Sequence, residues 1–237
     1  MSKRYSCILP LLVAVNLIGC LFIGNESTSI DYTIEDCSYK RVTQNEDIEL
    51  HYPQIRIQGK KSENLAAKIN DILYERGVNT YLNYFQNEGL NAKGTYEVEL
   101  QTDTVLSVHF EGDVYVNETA HPCKMCFAVN LEVDTGKVLL LSDFISAEEL
   151  QQAFESGSFV LLEGIHELLQ DENAYKIFAE RYLSSPIIYQ DTEHSYDFYV
   201  SGDDKICIII DVGHSNGDFV VLEVNIQKSK LDRQSMQ

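Results

Sequence analysis

The chain has 237 residues, of which 44% are hydrophobic and 10% aromatic, a composition typical of a globular protein that buries a core. Its 18 lysines and arginines against 37 acidic residues give a formal net charge of -19 at pH 7. This charge excludes nucleic acid as a partner, because binding phosphate groups requires a basic surface. It favours basic proteins or cations instead, or else serves only to keep the protein soluble.

The N-terminal segment predicts export from the cytoplasm. Lys3 and Arg4 precede an apolar run over residues 7–18, which is the arrangement of a secretory signal peptide. We therefore expect the folded part of the chain to lie outside the cytoplasm.

The end of this apolar run predicts a lipid anchor. Leu17-Ile18-Gly19-Cys20 resembles the lipobox of bacterial lipoproteins, in which a cysteine that follows a small residue carries diacylglycerol. We predict a signal peptide at residues 1–19, lipidation of Cys20, and a location on the extracytoplasmic face of the bacterial cell membrane. The alternatives are a signal peptide that is cut elsewhere and an uncleaved anchor that extends to Ile23.

The remaining chain divides into four predicted parts. Residues 20–46 are polar and show no clear periodicity, so we predict a tether. Two α+β subdomains should follow at residues 47–122 and 123–226, and a short tail at residues 227–237.

Alternating polar and apolar residues predict the strands of the first subdomain. Residues 48–52 alternate, and Pro53 predicts an edge strand, because proline has no N–H to donate to a neighbour. Apolar residues at helical spacing predict one long helix over residues 62–89. Two strands at residues 96–101 and 106–110 then form a meander.

A β-hairpin should open the second subdomain. Residues 127–133 alternate strictly, and Asp134-Thr135-Gly136 forms a turn that leads into a strand at residues 137–141. The side chain of Asp134 can bond to its own backbone, and Gly136 tolerates a positive φ.

Helices should occupy the middle of the second subdomain. Ser146 and Glu149 have the spacing of a capping box at a helix start. Apolar stripes predict a second helix over residues 161–169 and a third over residues 174–182.

Three strands close the chain, at residues 196–200, 205–212 and 219–224. The order of the elements predicts an α+β fold in which helices pack on a mostly antiparallel sheet, with one long helix in the first half and two to three helices before the closing strands.

The four cysteines beyond the predicted anchor allow three pairings. Because disulfides persist outside the cytoplasm, we predict a local bridge between Cys123 and Cys126. Cys37 and Cys207 form either a second bridge or two buried thiols, since Cys207 lies within an apolar run.

Cys123-Lys124-Met125-Cys126 also suggests two kinds of chemistry. A redox dithiol should open a helix, where the thiol pKa is lowered, but Cys126 enters a strand. Together with His121 the pair is half of a zinc site, but a structural zinc site needs four ligands and no second pair with suitable spacing follows. We therefore predict no metal ligands and no cofactor.

The motif from Gly213 to Gly217 matches the Gly-x-Ser-x-Gly pattern of serine hydrolases. A nucleophile elbow needs a strand, a sharp turn and a helix, whereas this motif joins two strands. No histidine follows Ser215 to complete a triad, so we predict a hairpin loop and no catalytic residues.

The meander contains a histidine and a pair of glutamates that could take part in chemistry. His109 falls on the polar face of its strand, so we predict a solvated histidine. Glu97 and Glu99 face the same way and could share a site, although such pairs arise by chance in so acidic a chain.

Several short motifs together point to a known family. They are Tyr52-Pro53-Gln54-Ile55, Ile69-Asn70, Leu106-Ser107-Val108, Ala120-His121-Pro122, Asn130-Leu131-Glu132-Val133-Asp134-Thr135-Gly136-Lys137 and Leu141-Ser142-Asp143-Phe144. With these motifs the segment over residues 48–224 resembles the extracytoplasmic paired domain of unknown function found in lysozyme-sensing anti-sigma factors and at the N-terminus of some peptidoglycan deacetylases.

The resemblance implies a non-enzymatic module that binds or senses cell-wall material or a wall-directed protein such as lysozyme. We expect neither sigma binding nor deacetylation, because only a few residues precede the predicted signal and only a short tail follows Val224. The predicted partners are the membrane, through the lipid anchor, and a basic protein or cell-wall ligand. Two alternatives stay open: a hydrolase acting on peptidoglycan or an ester, and a redox or metal protein that uses Cys123 and Cys126.

Overall fold

The computed structural model describes residues 30–58, 63–84, 89–116, 121–164, 176, 178–179, 197–202 and 205–225. The predicted signal peptide, Cys20 and the predicted tail lie outside these residues. None of the helices in the described ranges has the length and apolar character needed to cross a membrane.

Six strands form the first sheet, in the order of the chain. Their bounds are Tyr32–Val42 (β1), Asp47–Ile57 (β2), Leu90–Gln101 (β3), Val105–Val116 (β4), Cys123–Glu132 (β5) and Lys137–Val138 (β6). All neighbouring pairs are antiparallel except β2 and β3, which run parallel.

The tether prediction is wrong for the residues of β1, which pair with β2 along their whole length. The side chains of β1 that pack on the core do not keep one regular alternation. Ile34 is at an even-numbered position, whereas Cys37 and Tyr39 are at odd-numbered positions. A continuous alternation is therefore missing from the sequence, although the backbone pairing is regular.

The prediction of an edge strand at Pro53 is also wrong, since β2 lies between β1 and β3. The parallel pairing with β3 covers only the first four residues of β2 and ends at Leu50. Pro53 lies beyond that point, where β2 has a strand partner on one side only, so proline is tolerated there.

Helix α1, Glu63–Tyr74, completes the hydrogen bonding of β2 beyond the parallel pairing. Its Asn70 side chain accepts a hydrogen bond from the N–H of Ile55 at 2.7 Å and donates one to the carbonyl of the same residue at 3.1 Å. Asn70 thus satisfies both backbone groups of Ile55 and fixes the helix on the sheet.

The predicted long helix is confirmed, with one irregularity in its middle. A π-helical turn at Glu75–Asn79 separates α1 from α2, Thr80–Tyr84. Gly77 in this turn packs so closely on the sheet that a Cβ would lie 2.6 Å from a ring carbon of Phe110. Glycine is therefore required for this close approach of helix and sheet.

The predicted hairpin is confirmed by β5 and β6, and Gly136 in its turn has a φ of 62°. Its return strand is shorter than predicted, because β6 ends at Val138 and the next helix begins at Leu141. Strand β5 pairs with β4 over its length. The predicted division of the chain after Pro122 therefore cuts through the first sheet.

Two short helices follow the hairpin, α3 at Leu141–Phe144 and α4 at Ala147–Glu155. The capping box at the start of α4 is confirmed. The Ser146 hydroxyl accepts from the N–H of Glu149 at 3.3 Å, and the Glu149 carboxylate accepts from the N–H of Ser146 at 2.9 Å.

A strand, β7 at Phe159–Glu163, overlaps the start of the second predicted helix, which covers residues 161–169. Periodicity cannot assign so short an apolar run, and here pairing with a closing strand decides the outcome. The helix prediction is thus wrong at residues 161–163. The rest of that stripe and most of the predicted third helix lie outside the described residues.

The three closing strands are confirmed as β8, Asp197–Ser201, β9, Lys205–Gly213, and β10, Asp218–Asn225. With β7 they form a second, antiparallel sheet in the order β7-β10-β9-β8. The predicted α+β fold with mostly antiparallel strands is confirmed.

Polar side chains join the second sheet to the face of the first sheet, and we call them the junction network. The fully buried Ser107 hydroxyl donates to the Asn130 side-chain oxygen at 2.6 Å and accepts from the N–H of Val200 at 2.9 Å. The Asn130 amide donates to the carbonyl of Phe198 at 2.7 Å.

The π-helical turn adds a charged pair to the junction network. Arg76 donates from two nitrogens to the carbonyl of Ala128, at 3.1 and 3.2 Å, and forms an ion pair with Asp197 of β8. Its guanidinium also lies 5.4 Å from the ring centroid of Phe127. The irregular turn therefore places a cation between the two sheets.

Candidate functional site

Three side chains with metal-ligating atoms meet where β5 begins and where the β9–β10 hairpin turns. They are Cys123, His214 and Asp218, which we call the hairpin-tip cluster. One ligating atom of each lies within 4.8 Å of the others. Cys123 comes from the first sheet, whereas the other two come from the second.

The hairpin backbone holds Asp218 in an uncommon conformation. A 3-10 turn at His214–Asn216 is followed by Gly217 with a φ of 96° and by Asp218 with a φ of 73°. The strand register shifts between Asp218 and Phe219, whose partners on β9 are Gly213 and Asp211, so the extra residue lies on β9. Aspartate is among the few residues that tolerate a positive φ.

The Asp218 carboxylate connects the hairpin to β5. One oxygen lies 2.9 Å from Nδ1 of His214, and the other accepts a hydrogen bond from the N–H of Lys124 at 2.9 Å. When Nδ1 donates to this carboxylate, Nε2 carries the lone pair of the ring. The ring of His121 stacks on His214, with centroids 5.9 Å apart.

The cluster has a negative electrostatic environment. Burial, together with the carboxylates of Asp218 and Asp211, raises the pKa of the Cys123 thiol. The pKa of Tyr84 is raised as well, by burial first and then by the same cysteine and aspartates. A nearby cation would offset these effects, because it favours a thiolate.

A cleft of about 450 Å³ opens beside the cluster, and we call it the acidic cleft. Three acids line it, Asp113, Glu163 and Asp218, together with Lys124 and His214. Its width and charge suit a cationic group that carries hydrogen-bond donors.

A second cleft of about 450 Å³ continues from the first and shares Asp113 and Lys124 with it. Glu111 lines this second cleft. Burial raises its pKa, and the charge of Glu163 raises it further. Acids outnumber lysines among the residues that line the two clefts, where Lys93 and Lys124 are the lysines.

The structure contradicts the disulfide predictions, because the four cysteines in the described ranges are free thiols. Cys123 and Cys126 lie on one strand, three residues apart, and so point to opposite faces. Their Cα atoms are roughly 10 Å apart in an extended strand, beyond the reach of a disulfide. The same geometry removes the redox dithiol interpretation.

The other two cysteines lie in different sheets, Cys37 in β1 and Cys207 in β9. The predicted bridge between them is wrong. The alternative, a buried thiol, is confirmed for Cys207, which is 1% exposed and packs with Tyr199 and Ile209.

Ser215 lies exposed in the 3-10 turn between two antiparallel strands, so the predicted hairpin loop is confirmed. The strand, turn and helix of a nucleophile elbow do not occur around this serine. The serine form of the hydrolase interpretation therefore has no structural support.

The prediction of a solvated His109 is wrong. Its side chain is only 13% exposed, its Nδ1 lies 2.8 Å from the Glu99 carboxylate, and its ring stacks on Tyr199 of β8. The second sheet covers this face of the first sheet, which strand periodicity cannot reveal. Glu97 and Glu99, predicted to share a face, do lie with His109 in one cluster whose ligating atoms are within 4.8 Å.

Sequence reasoning missed His214 and Asp218 as neighbours of Cys123. The four-residue spacing of His214 and Asp218 is a weak signal alone, and about 90 residues separate this pair from Cys123. Only the packing of the two sheets brings the halves together.

The sequence matches no protein-family model and no curated protein. Among solved structures, it is similar to a DUF3298 family protein from Pseudomonas aeruginosa, at 11% identity and a TM-score of 0.45. A DUF3298 family member from Bacteroides fragilis is similar at 12% identity and a TM-score of 0.46. Each comparison covers 86% of this chain and 92% of the other chain.

Proposed function

We propose that the chain is a lipid-anchored protein on the extracytoplasmic face of a bacterial membrane, and that it binds or senses cell-wall material or a wall-directed protein such as lysozyme. The acidic cleft is the observation that carries the proposal. The apolar run that ends in Leu17-Ile18-Gly19-Cys20 supports the location.

The charge of the cleft determines the kind of partner. Asp113, Glu163 and Asp218 line it, and Lys124 is the one lysine or arginine among its lining residues. A concave surface on which one sign of charge predominates focuses the field and attracts groups of the opposite sign. The cleft therefore receives lysine or arginine side chains of a basic partner, and the net charge of -19 steers that partner from a distance.

Binding of lysozyme over a salt series tests the proposal. We expect capture at low salt that weakens as salt rises, because exposed charges are screened beyond about 10 Å at 0.1 M salt. Capture that is absent at low salt would remove lysozyme as a ligand.

A matched pair of variants tests whether the cleft is the contact surface. Asp113→Asn with Glu163→Gln removes two charges from the cleft, and Glu148→Gln with Glu155→Gln removes two exposed charges from α4. We expect the first variant to weaken lysozyme binding about tenfold more than the second. Equal weakening would mean that total charge acts, and that the cleft has no special role.

Lipid labelling tests the location. We expect incorporation of labelled lipid into wild type and none into Cys20→Ser, because the thiol would carry the acyl group. Equal labelling of both chains would contradict the anchor.

A further inference from the structure

We propose that Cys123, His214 and Asp218 form a binding site for a divalent transition-metal cation, with zinc as the best fit and solvent in the fourth coordination position. This inference does not rest on the proposed binding of basic partners, although His214 and Asp218 also line the acidic cleft. It concerns the hairpin-tip cluster, and it can fail while the acidic cleft still binds a basic protein.

The ligand types indicate the metal. A thiol, an imidazole and a carboxylate combine the sulfur, nitrogen and oxygen donors that zinc accepts. Magnesium and calcium prefer oxygen ligands, whereas soft thiolate and imidazole ligands select zinc and its transition-metal neighbours. The presence of Cys123 and His214 therefore argues against an alkaline-earth site.

The distances also fit. Ligands at about 2.0–2.3 Å from zinc in a tetrahedron lie roughly 3.5 Å from one another. The ligating atoms of Cys123, His214 and Asp218 are already within 4.8 Å of one another. Side-chain rotations that move these atoms by about an ångström would complete the coordination, without a change of the backbone.

The hairpin backbone orients the Asp218 side chain. Asp218 is the one residue other than glycine with a positive φ among the described residues, and the register with β9 shifts between Asp218 and Phe219. Such conformations are unfavourable and occur often at functional sites, where the side chain has to point in a specified direction. Here the strained residue is a member of the cluster.

The contact between His214 and Asp218 places two donor atoms side by side. Nδ1 of His214 lies 2.9 Å from an Asp218 oxygen, close to the separation of two ligands in a tetrahedral zinc site. A bound cation takes the place of the proton between these two atoms, and the ring then carries its proton on Nε2. The second Asp218 oxygen bonds to the N–H of Lys124, so the same carboxylate fixes the start of β5, which carries Cys123.

His121 packs beside the cluster, because its ring stacks on His214 with an interplanar angle of 21°, but it is not among the three residues whose ligating atoms lie within 4.8 Å of one another. The acidic cleft reaches His214 and Asp218, so a cation can enter from solvent. Cys126 takes no part, because it packs with Ala128 and Tyr199 between the two sheets.

Cobalt titration tests the site directly. The full-length chain is purified in detergent, its thiols are reduced, and Co²⁺ is added while the absorption spectrum is recorded. We expect a thiolate-to-cobalt charge-transfer band that saturates at one equivalent and is displaced by one equivalent of Zn²⁺. A wild-type spectrum without this band would overturn the proposal.

The variants identify the ligands. Cys123→Ser should abolish the band, whereas Cys126→Ser, from the same Cys-x-x-Cys segment, should retain it. His214→Ala and Asp218→Asn should weaken cobalt binding at least tenfold, and His51→Ala, a histidine of β2, should not. Asparagine tolerates the positive φ of Asp218, so that variant keeps the turn.

A fold control accompanies every variant. The circular dichroism spectrum and the thermal unfolding of the metal-free chains are compared, and Cys123→Ala serves if Cys123→Ser is unfolded. An unchanged band in a folded Cys123 variant, or equal losses in His214→Ala and His51→Ala, would contradict the assignment. Lysozyme binding is measured without cobalt and does not depend on the cobalt absorption band, so the two proposals can be judged separately.

Discussion

The junction network and the hairpin-tip cluster both connect the first sheet to the second, but they use polar atoms in opposite ways. Ser107 and Asn130 of the junction network are at most 2% exposed, and each makes hydrogen bonds to protein groups. In the hairpin-tip cluster Asp218 is 13% exposed and bonded through both oxygens, but His214 is 50% exposed, and both border an open cleft. Buried polar groups that are fully bonded specify how two sheets pack, whereas open ones are available to a ligand.

Removing Asn130 should have the largest effect. Asn130→Ala leaves the Ser107 hydroxyl without its acceptor and the Phe198 carbonyl without its donor, both in a buried place. We expect a loss of roughly 3 kcal/mol in the free energy of unfolding, since each unsatisfied buried group costs about 1–3 kcal/mol. Denaturant unfolding measures it. His214→Ala is the comparison, with an expected loss below about 0.5 kcal/mol, and similar losses would abolish the distinction between the two regions.

Breaking the charged pair of the junction network should have the second largest effect on the free energy of unfolding. Arg76→Met removes two hydrogen bonds to Ala128 and leaves the half-buried Asp197 carboxylate without its cation. We expect a loss of about 2 kcal/mol at pH 7, below that of a fully buried pair.

The pH dependence of this loss checks its cause. Burial raises the pKa of Asp197, and Arg76 opposes the rise. Without the arginine the folded chain favours the protonated carboxyl more strongly, so the loss should shrink at acidic pH, near about pH 4. Asp197→Asn in the Arg76→Met background should recover part of the stability. A loss that is the same at both pH values would mean that packing of the arginine side chain is the whole effect.

Glu111, which lines the second cleft, provides a further test of whether residues at the clefts contribute to stability. Because burial and Glu163 raise its pKa, the folded chain favours its protonated form. The stability from this group is therefore present below its unfolded pKa and is lost as pH rises through its folded pKa. Glutamine mimics the protonated form, so Glu111→Gln should show a slightly higher melting temperature than wild type at pH 7 and an equal one at low pH.

This result would show that the clefts keep acids that reduce stability, as binding surfaces often do. Asp31→Asn, at an exposed acid that precedes β1, is the control and should change the melting temperature little. A lower melting temperature for Glu111→Gln at pH 7 would mean that Glu111 makes a favourable contact in the folded state.

Elements that depend on local contacts could be predicted from the sequence, whereas elements that depend on distant contacts could not. Strands β5 and β9 were predictable, because their alternation or apolar run is continuous and local. Strand β1 was missed because its apolar phase changes, and β7 because its apolar run is too short to assign without its partner β10. The cluster of Cys123, His214 and Asp218 depends on the packing of two sheets, which no local pattern encodes.

The smallest change in stability is expected for a substitution of Asp218. It tests whether this residue serves ligand binding, like the rest of the hairpin-tip cluster, or stabilises the fold, like the junction network. Asp218→Gly relieves the positive φ, a gain of about 1 kcal/mol, and loses the contacts to His214 and Lys124, a loss of similar size. The free energy of unfolding should therefore stay within about 0.5 kcal/mol of wild type in denaturant unfolding, while cobalt binding falls. A loss above about 2 kcal/mol would make Asp218 a structural residue like Asn130, and its strained backbone would then serve the hairpin rather than a ligand.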